Sequence, residues 1–284
     1  MKFRQQQVHC LSPSGLHRMA YTEWGERDNP RVLVCVHGLT RNGRDFDDLA
    51  AALAGDYRVI CPDVVGRGQS DHLRDAADYA MPQYLADMVT LIARLGVERV
   101  DWLGTSMGGL IGMALASLDG SPIKRLLLND VGPVINDQAL RRIAAYTGAD
   151  PTWASFDEAV AYVREISAPF GDLSAEQWRQ LTASSVARRA DGRWGFLYDP
   201  GIALAFEKVL DGPNIDLWPF YDRITCPTLV IRGALSDLLS VDVWRQMGER
   251  GPRARLAEAP GVGHAPMFLE ARQIAIVRDF LLTP

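Results

Sequence analysis

A serine stands between two glycines in the run Gly104-Thr105-Ser106-Met107-Gly108. An apolar strand pattern ends at Thr105 and a helical pattern starts near Met107, so Ser106 must occupy a sharp strand-to-helix turn. Glycines at 104 and 108 remove side chains where strand and helix approach each other. The turn leaves the serine oxygen exposed at the C-terminal edge of a sheet, where open α/β sheets place their ligands. The pattern is that of a G-x-S-x-G nucleophile elbow.

A serine hydroxyl alone is a weak nucleophile and needs a base, itself held by an orienting group. The chain has five histidines. His264 lies in Gly261-Val262-Gly263-His264-Ala265-Pro266, a loop of small residues before the last helical pattern, and is the expected general base. His37 ends a strand and reads as a loop organiser. His9 and His17 read as structural or exposed, and His72 has a minor claim on substrate contact. Two aspartates compete to orient the base. Asp237 follows the strand Leu229-Val230-Ile231-Arg232 in a turn from Gly233 and is favoured, with the chain order Ser106, Asp237, His264. Asp130, directly after Leu126-Leu127-Leu128-Asn129, reaches the same rim and stays the rival. Its other role would be to hydrogen-bond the start of the following segment.

The oxyanion of a tetrahedral intermediate needs donors already in place. The expected donors are the backbone N–H groups of Met107, at the first turn of a helix, and of Leu39, after His37-Gly38. The run Asp63-Val64-Val65-Gly66-Arg67-Gly68-Gln69-Ser70 lacks the third glycine of a dinucleotide fingerprint, and no P-loop occurs. It reads as a tight loop beside the active rim, held by Asp63 and Arg67. No cofactor and no metal are expected, since no sequence cluster has the ligand density a metal needs.

These residues need a scaffold, and the hydrophobic pattern supplies one. Val8–Leu11 and Arg18–Trp24 read as an opening hairpin. Buried strands are predicted at Arg31–Val36, Arg58–Cys61, Asp101–Thr105, Arg125–Asn129, Thr228–Arg232 and, more weakly, Ala254–Ala257. Helical spacing covers 46–53, 84–95, the stretch after 106, and 268–281, with Gly96 stopping the second of these. Strands alternating with helices imply a mostly parallel sheet covered on both faces. The rhythm breaks between 133 and 225, where aromatics are dense and strand signals are weak. Helices near 137–147, 155–167, 174–190 and 200–210 would make this a helical insertion between two strands, since a structureless loop of that length is improbable.

Composition narrows the partners. The chain has 284 residues, 48% of them apolar, with 30 Lys+Arg against 35 Asp+Glu and a net charge of -5. That balance gives no footprint for nucleic acid or an anionic membrane surface. No apolar run is long enough to span a bilayer, and the first residues lack the apolar core of a signal peptide. Cytoplasmic location is the resulting expectation. Cys35 and Cys61 fall inside core strands and read as small buried thiols. Charges in 133–225 are mixed and form no evident clamp for an anionic group.

Together, His37-Gly38, Asp63 to Ser70, Gly104 to Gly109, Gly233 to Asp237 and Gly261 to His264 resemble the α/β-hydrolase fold superfamily. Within it the chain looks most like small capped bacterial serine carboxylesterases and lactonases. The resemblance implies a mainly parallel eight-stranded sheet with an antiparallel second strand and helices on both faces. It implies a core of residues 1–132 and 226–284, and a helical cap at 133–225 inserted after the sixth strand. It implies an ester hydrolase acting through an acyl-enzyme on small to medium, largely apolar esters. Lactone opening, C–C hydrolysis of a diketone and cofactor-free perhydrolysis would use the same residues. A non-catalytic binding protein on this scaffold is the remote alternative.

Overall fold

Alternation with a period of two sorts the central strands between two cores. In the strand Val32–Val36, Val32, Val34 and Val36 face one core while Leu33 and Cys35 face the other. Leu126 and Leu128 likewise part from Leu127, and Trp102 from Leu103. Strands buried on both faces need helices on both sides, and the sequence supplies them.

The computed structural model describes residues 3–204, 206 and 216–283. Its strands are β1 (Arg4–Ser12), β2 (Gly15–Trp24), β3 (Val32–Val36), β4 (Arg58–Pro62), β5 (Val100–Thr105), β6 (Ile123–Asn129), β7 (Thr152–Trp153), β8 (Val186–Arg188), β9 (Trp194–Phe196), β10 (Thr228–Gly233) and β11 (Arg255–Ala259). The helices are α1 (Asp47–Leu53), α2 (Met81–Leu95), α3 (Met107–Ala116), α4 (Asp137–Ala144), α5 (Phe156–Ile166), α6 (Ala175–Ser185), α7 (Trp218–Tyr221), α8 (Val241–Glu249) and α9 (Ala271–Leu282). The main sheet has eight strands in the order β1-β2-β4-β3-β5-β6-β10-β11. β2 runs antiparallel to both its neighbours, and the remaining pairs are parallel. One core holds Met88 and Leu91 of α2 and Ile111 of α3; the other holds Leu49 of α1 and Val277 of α9. Cys35 and Cys61 are free, buried thiols, as expected.

The segment between β6 and β10 corrects the expectation of a purely helical insertion. It carries helices and also a three-stranded antiparallel sheet ordered β7-β9-β8. The predicted helix at 174–190 stops at Ser185, and Val186 turns extended with φ -129°. β8 and β9 are joined through Gly192 at φ +80°. Strands of two or three residues are too short to show periodicity. Aromatic pairing holds them instead: Trp153 meets Phe196 edge-on at 5.1 Å, and Phe156 lies 5.2 Å from Trp194. Of the predicted helix at 200–210, Ile202 to Leu204 and Phe206 are helical, and residues 205 and 207–210 lie outside the described residues.

Several hydrogen bonds fasten this segment over the C-terminal rim of the main sheet. Gly68 N–H donates to Leu197 O at 2.7 Å, and Asp199 N–H to Gly66 O at 2.8 Å. Asn42 Nδ2 donates to Ser184 O at 2.6 Å, and Arg41 Nη1 to Ser185 Oγ at 2.8 Å. The loops that follow β3 and β4 thus tie the sheet to the insertion. Among the described residues, no helix is long and apolar enough to cross a membrane.

Candidate active site

Ser106 sits between β5 and α3 with φ 52° and ψ -116°, a backbone conformation that a side chain adopts only under constraint. The constraint comes from close packing. A Cβ on Gly104 would stand 2.2 Å from the carbonyl carbon of Gly108, and one on Gly108 would stand 2.0 Å from Val36 O. The two glycines let the helix start directly on the sheet edge, and the turn presents Oγ to the cleft.

His264 Nε2 lies 3.0 Å from Ser106 Oγ. Its Nδ1 lies 2.8 Å from Oδ2 of Asp130. The carboxylate beside the imidazole is therefore Asp130, and the expectation of Asp237 is corrected. Asp130 is fully buried, with φ 54°, a left-handed conformation that aspartate tolerates better than most residues. Its Oδ1 accepts Gly233 N–H at 2.8 Å, and its Oδ2 also accepts Ser236 Oγ–H at 2.6 Å. Asp237 instead lies at the surface, where both its oxygens accept from Arg142 at 2.8 and 2.9 Å. The turn Gly233–Ser236 carries it past the rim toward α4. Asn129 braces the arrangement, donating from Nδ2 to Thr105 Oγ1 and to Pro266 O, both at 2.9 Å.

The two expected oxyanion donors flank the serine. A Cβ on Gly38 would lie 3.7 Å from Ser106 Cβ, so the chain at Gly38-Leu39 passes beside Ser106. Met107 begins α3, where the N–H groups of the first turn have no intrahelical partner. Neither the Leu39 nor the Met107 N–H has a hydrogen-bond partner among the described residues.

Two buried side chains shape the Leu39 loop. His37 Nδ1 is 2.7 Å from Gly38 O, and its Nε2 accepts Val64 N–H at 2.9 Å, so Nδ1 carries the proton. Burial, with Arg67 and Arg41 nearby, pushes its pKa down to about 3. His37 is thus a neutral organiser of the loop, not a second base. Arg67, fully buried, donates to Leu39 O at 2.8 Å, Val65 O at 2.8 Å and Tyr84 Oη at 3.0 Å. The sequence pattern marks a tight loop here but carries no signal that Arg67 reaches across to Leu39. Asp63 closes the same loop by accepting Gly43 N–H and Gln69 N–H, each at 2.8 Å.

The depressed His37 pKa has a measurable consequence. Unfolded chains take up this proton as pH falls below about 6.5, and the folded chain resists it down to about 3. Stability that is full at neutral pH is therefore lost on acidification through that window, at up to about 1.4 kcal/mol per pH unit from this group. Urea titrations should show a shallower acid slope in His37→Gln than in the wild type. Equal slopes would mean that His37 is not held neutral.

The remaining histidines lie elsewhere. His72 is more than half exposed, 3.5 Å from Asp199. His17 is buried on β2 with its Nε2 3.0 Å from Asp87 Oδ2. Cys10, opposite His17 across the hairpin, joins them, and ligand atoms of the three lie within 4.8 Å of one another. Gln83 Nε2 also donates to Asp87, at 2.7 Å. Burial first, and then Asp87, pushes the Cys10 thiol up to about 12. A protonated thiol and a carboxylate already served by two other donors make a buried hydrogen-bonded knot rather than a ready metal centre. Asp87 is some seventy positions downstream on α2, so spacing gave no hint of it.

The cleft containing Ser106 and His264 holds about 70 Å³ of free space. From the sheet it is lined by Leu39, Arg41 and Met267, and from the insertion by Arg142, Ile143, Tyr146, Val163, Phe170 and Phe196, among others. A larger groove of about 1280 Å³ runs along β1 and β2 and touches neither Ser106 nor His264.

A model of the alpha/beta hydrolase fold family matches residues 31–271. This chain belongs to that family. It is 54% identical over 280 residues, 96% of each chain, to a 3-hydroxybutyrate-oligomer hydrolase of Cupriavidus necator. A solved alpha/beta hydrolase from Novosphingobium aromaticivorans superposes with a TM-score of 0.89 at 38% identity, covering 99% of this chain and 98% of that one. A solved structure from Rickettsia typhi gives a TM-score of 0.91 at 31% identity, covering 99% of both. The chain is an enzyme of the carboxylesterase/hydrolase type.

Proposed function

We propose that this hydrolase cleaves short linear esters of 3-hydroxybutyrate through an acyl-enzyme formed on Ser106. The observation that carries the chemistry is the unbroken line from Ser106 Oγ through the His264 imidazole to Asp130, with hydrogen-bond lengths of 3.0 and 2.8 Å. The substrate class comes from the likeness to the Cupriavidus necator protein, which extends over 96% of both chains.

In this reading Ser106 Oγ attacks the ester carbonyl carbon while His264 Nε2 takes the hydroxyl proton. Asp130 accepts the Nδ1–H of His264 and stabilises the imidazolium. The N–H groups of Leu39 and Met107 hold the oxyanion, in a site where donors fixed in advance need no reorganisation. Collapse of the tetrahedral intermediate breaks the C–O bond, and His264 gives its proton to the leaving alkoxide oxygen, which departs as an alcohol. Water then attacks the acyl-serine, giving its proton to His264, and a carboxylic acid leaves with Ser106 restored. Residues 133–225 act as a cap that roofs the reaction. Its aliphatic and aromatic wall suits the methyl-bearing backbone of the oligomer.

The test has two parts. Incubation with the 3-hydroxybutyrate dimer and trimer should release monomer, followed by chromatography. A p-nitrophenyl alkylphosphonate should stop that release, expel p-nitrophenolate and leave its alkylphosphonyl group on the peptide containing Ser106. An adduct on another residue, or none with activity intact, would overturn the mechanism. Turnover of p-nitrophenyl butyrate with no release from either oligomer would overturn the substrate class alone.

A further inference from the structure

Arg142 stands on α4 and lines the same cleft as Ser106 and His264. Its Nε and Nη2 hold both oxygens of Asp237, which is not among the residues lining the cleft. The pair is open to water, with 35% of the Arg142 side chain and 47% of the Asp237 side chain exposed. Its Nη1 has no hydrogen-bond partner among the described residues. Exposed ion pairs contribute only about 0–1 kcal/mol, so the guanidinium can be shared with another carboxylate, or surrendered to it, at little cost. Arg41, the other arginine of the cleft, has no such freedom. Asp45 occupies its Nε and Nη2, Ser185 Oγ takes its Nη1, and it is largely buried.

We propose that Arg142 binds the free terminal carboxylate of the substrate, with Asp237 as the internal stand-in that holds the guanidinium at the cleft when no substrate is bound. The inference rests on the proposed function, because a linear hydroxyacid oligomer carries one carboxylate at its chain end beside neutral esters. A planar guanidinium matches a carboxylate in charge and in fork geometry. Anchoring that end fixes which ester reaches Ser106. The enzyme then works inward from the carboxyl terminus and discriminates against esters that lack a free acid. A cap arginine, not the apolar wall, supplies this selectivity.

The experiment compares kcat/KM for the 3-hydroxybutyrate dimer as free acid and as methyl ester, and reads the acid-to-ester ratio. That ratio cancels the fraction of active enzyme, so a partly misfolded variant still reports. In Arg142→Gln the ratio should fall by about tenfold or more, mainly through KM of the acid, and Arg142→Lys should recover part of it. A ratio within about twofold of wild type in Arg142→Gln, a factor too small for a lost charge-assisted contact, would overturn the proposal. If the wild type cleaves neither form of the dimer, the oligomer reading fails on its own. The same ratio is then read with 4-(butyryloxy)benzoate, which likewise carries its carboxylate on the leaving group, against its methyl ester, and the same two outcomes decide the role of Arg142.

Discussion

Asp130→Asn should lower kcat on p-nitrophenyl butyrate by about 10⁴-fold, roughly 5.5 kcal/mol of barrier. The size follows from the tautomer. Asp130 Oδ2 accepts from His264 Nδ1 at 2.8 Å, which leaves Nε2 without a proton and able to receive that of Ser106. An asparagine can keep the contact to Gly233 N–H through its amide oxygen and then turns its NH₂ toward the imidazole. Nδ1 must then become the acceptor, the proton moves to Nε2, and the base faces Ser106 already protonated. The backbone is spared, because asparagine also tolerates the φ of 54° at this position. Asp237→Asn serves as the comparison, since that carboxylate contacts Arg142 and not the imidazole. Its effect on kcat should be smaller by at least about 10²-fold, a gap set by the tautomer effect. Equal losses in steady-state assays of the two variants would refute the assignment of Asp130.

The contrast between these aspartates shows where sequence stops being informative. Ser106 was legible because its signal is local: a strand, two glycines that the packing demands, and a helix. His264 was legible because a histidine among glycines before the last helix has little else to pack against. The orienting acid has no local signal. β6 and β10 are parallel neighbours paired from Thr228 and Leu126 to Ile231 and Asn129, so the residues after both strands reach one rim. What separates them is the left-handed backbone at Asp130, whose carboxylate meets Gly233, Ser236 and His264. The loop after β10 sends Ser236, and not Asp237, toward that carboxylate. Both are tertiary facts. The alternation of the core strands and the Gly96 helix stop, at φ +71°, belong to the legible part for the same reason as Ser106. The small sheet of the insertion belongs to the other part, since its strands are shorter than any repeat that could announce them.

Arg67 is the residue whose loss should couple stability most directly to catalysis. The Leu39 N–H and the Gly38 carbonyl share one peptide plane, and His37 Nδ1–H fixes that plane by donating to Gly38 O at 2.7 Å. Arg67 Nε fixes the next plane by donating to Leu39 O at 2.8 Å. The proposed oxyanion donor is therefore held from both sides of its Cα. Arg67 Nη2 also lies 3.7 Å from Met107 Sδ, so the same guanidinium packs against the residue that carries the second donor. Among the described residues no carboxylate pairs with Arg67; carbonyl oxygens, the Tyr84 hydroxyl and the rings of Tyr79 and Tyr84 surround its charge. Arg67→Met keeps much of the volume but strips Leu39 O, Val65 O and Tyr84 Oη of their donor. Urea unfolding should register a loss of about 3–5 kcal/mol, from several buried polar groups left unpaired. In the protein that remains folded, kcat should fall by about 10²-fold with KM little changed, the pattern of a donor displaced from a transition-state charge. The rate of phosphonate labelling at Ser106 should fall in parallel, because the phosphonyl oxygen uses the same donors. A variant that loses stability but keeps both rates would show that Arg67 holds the fold without aiming the Leu39 N–H.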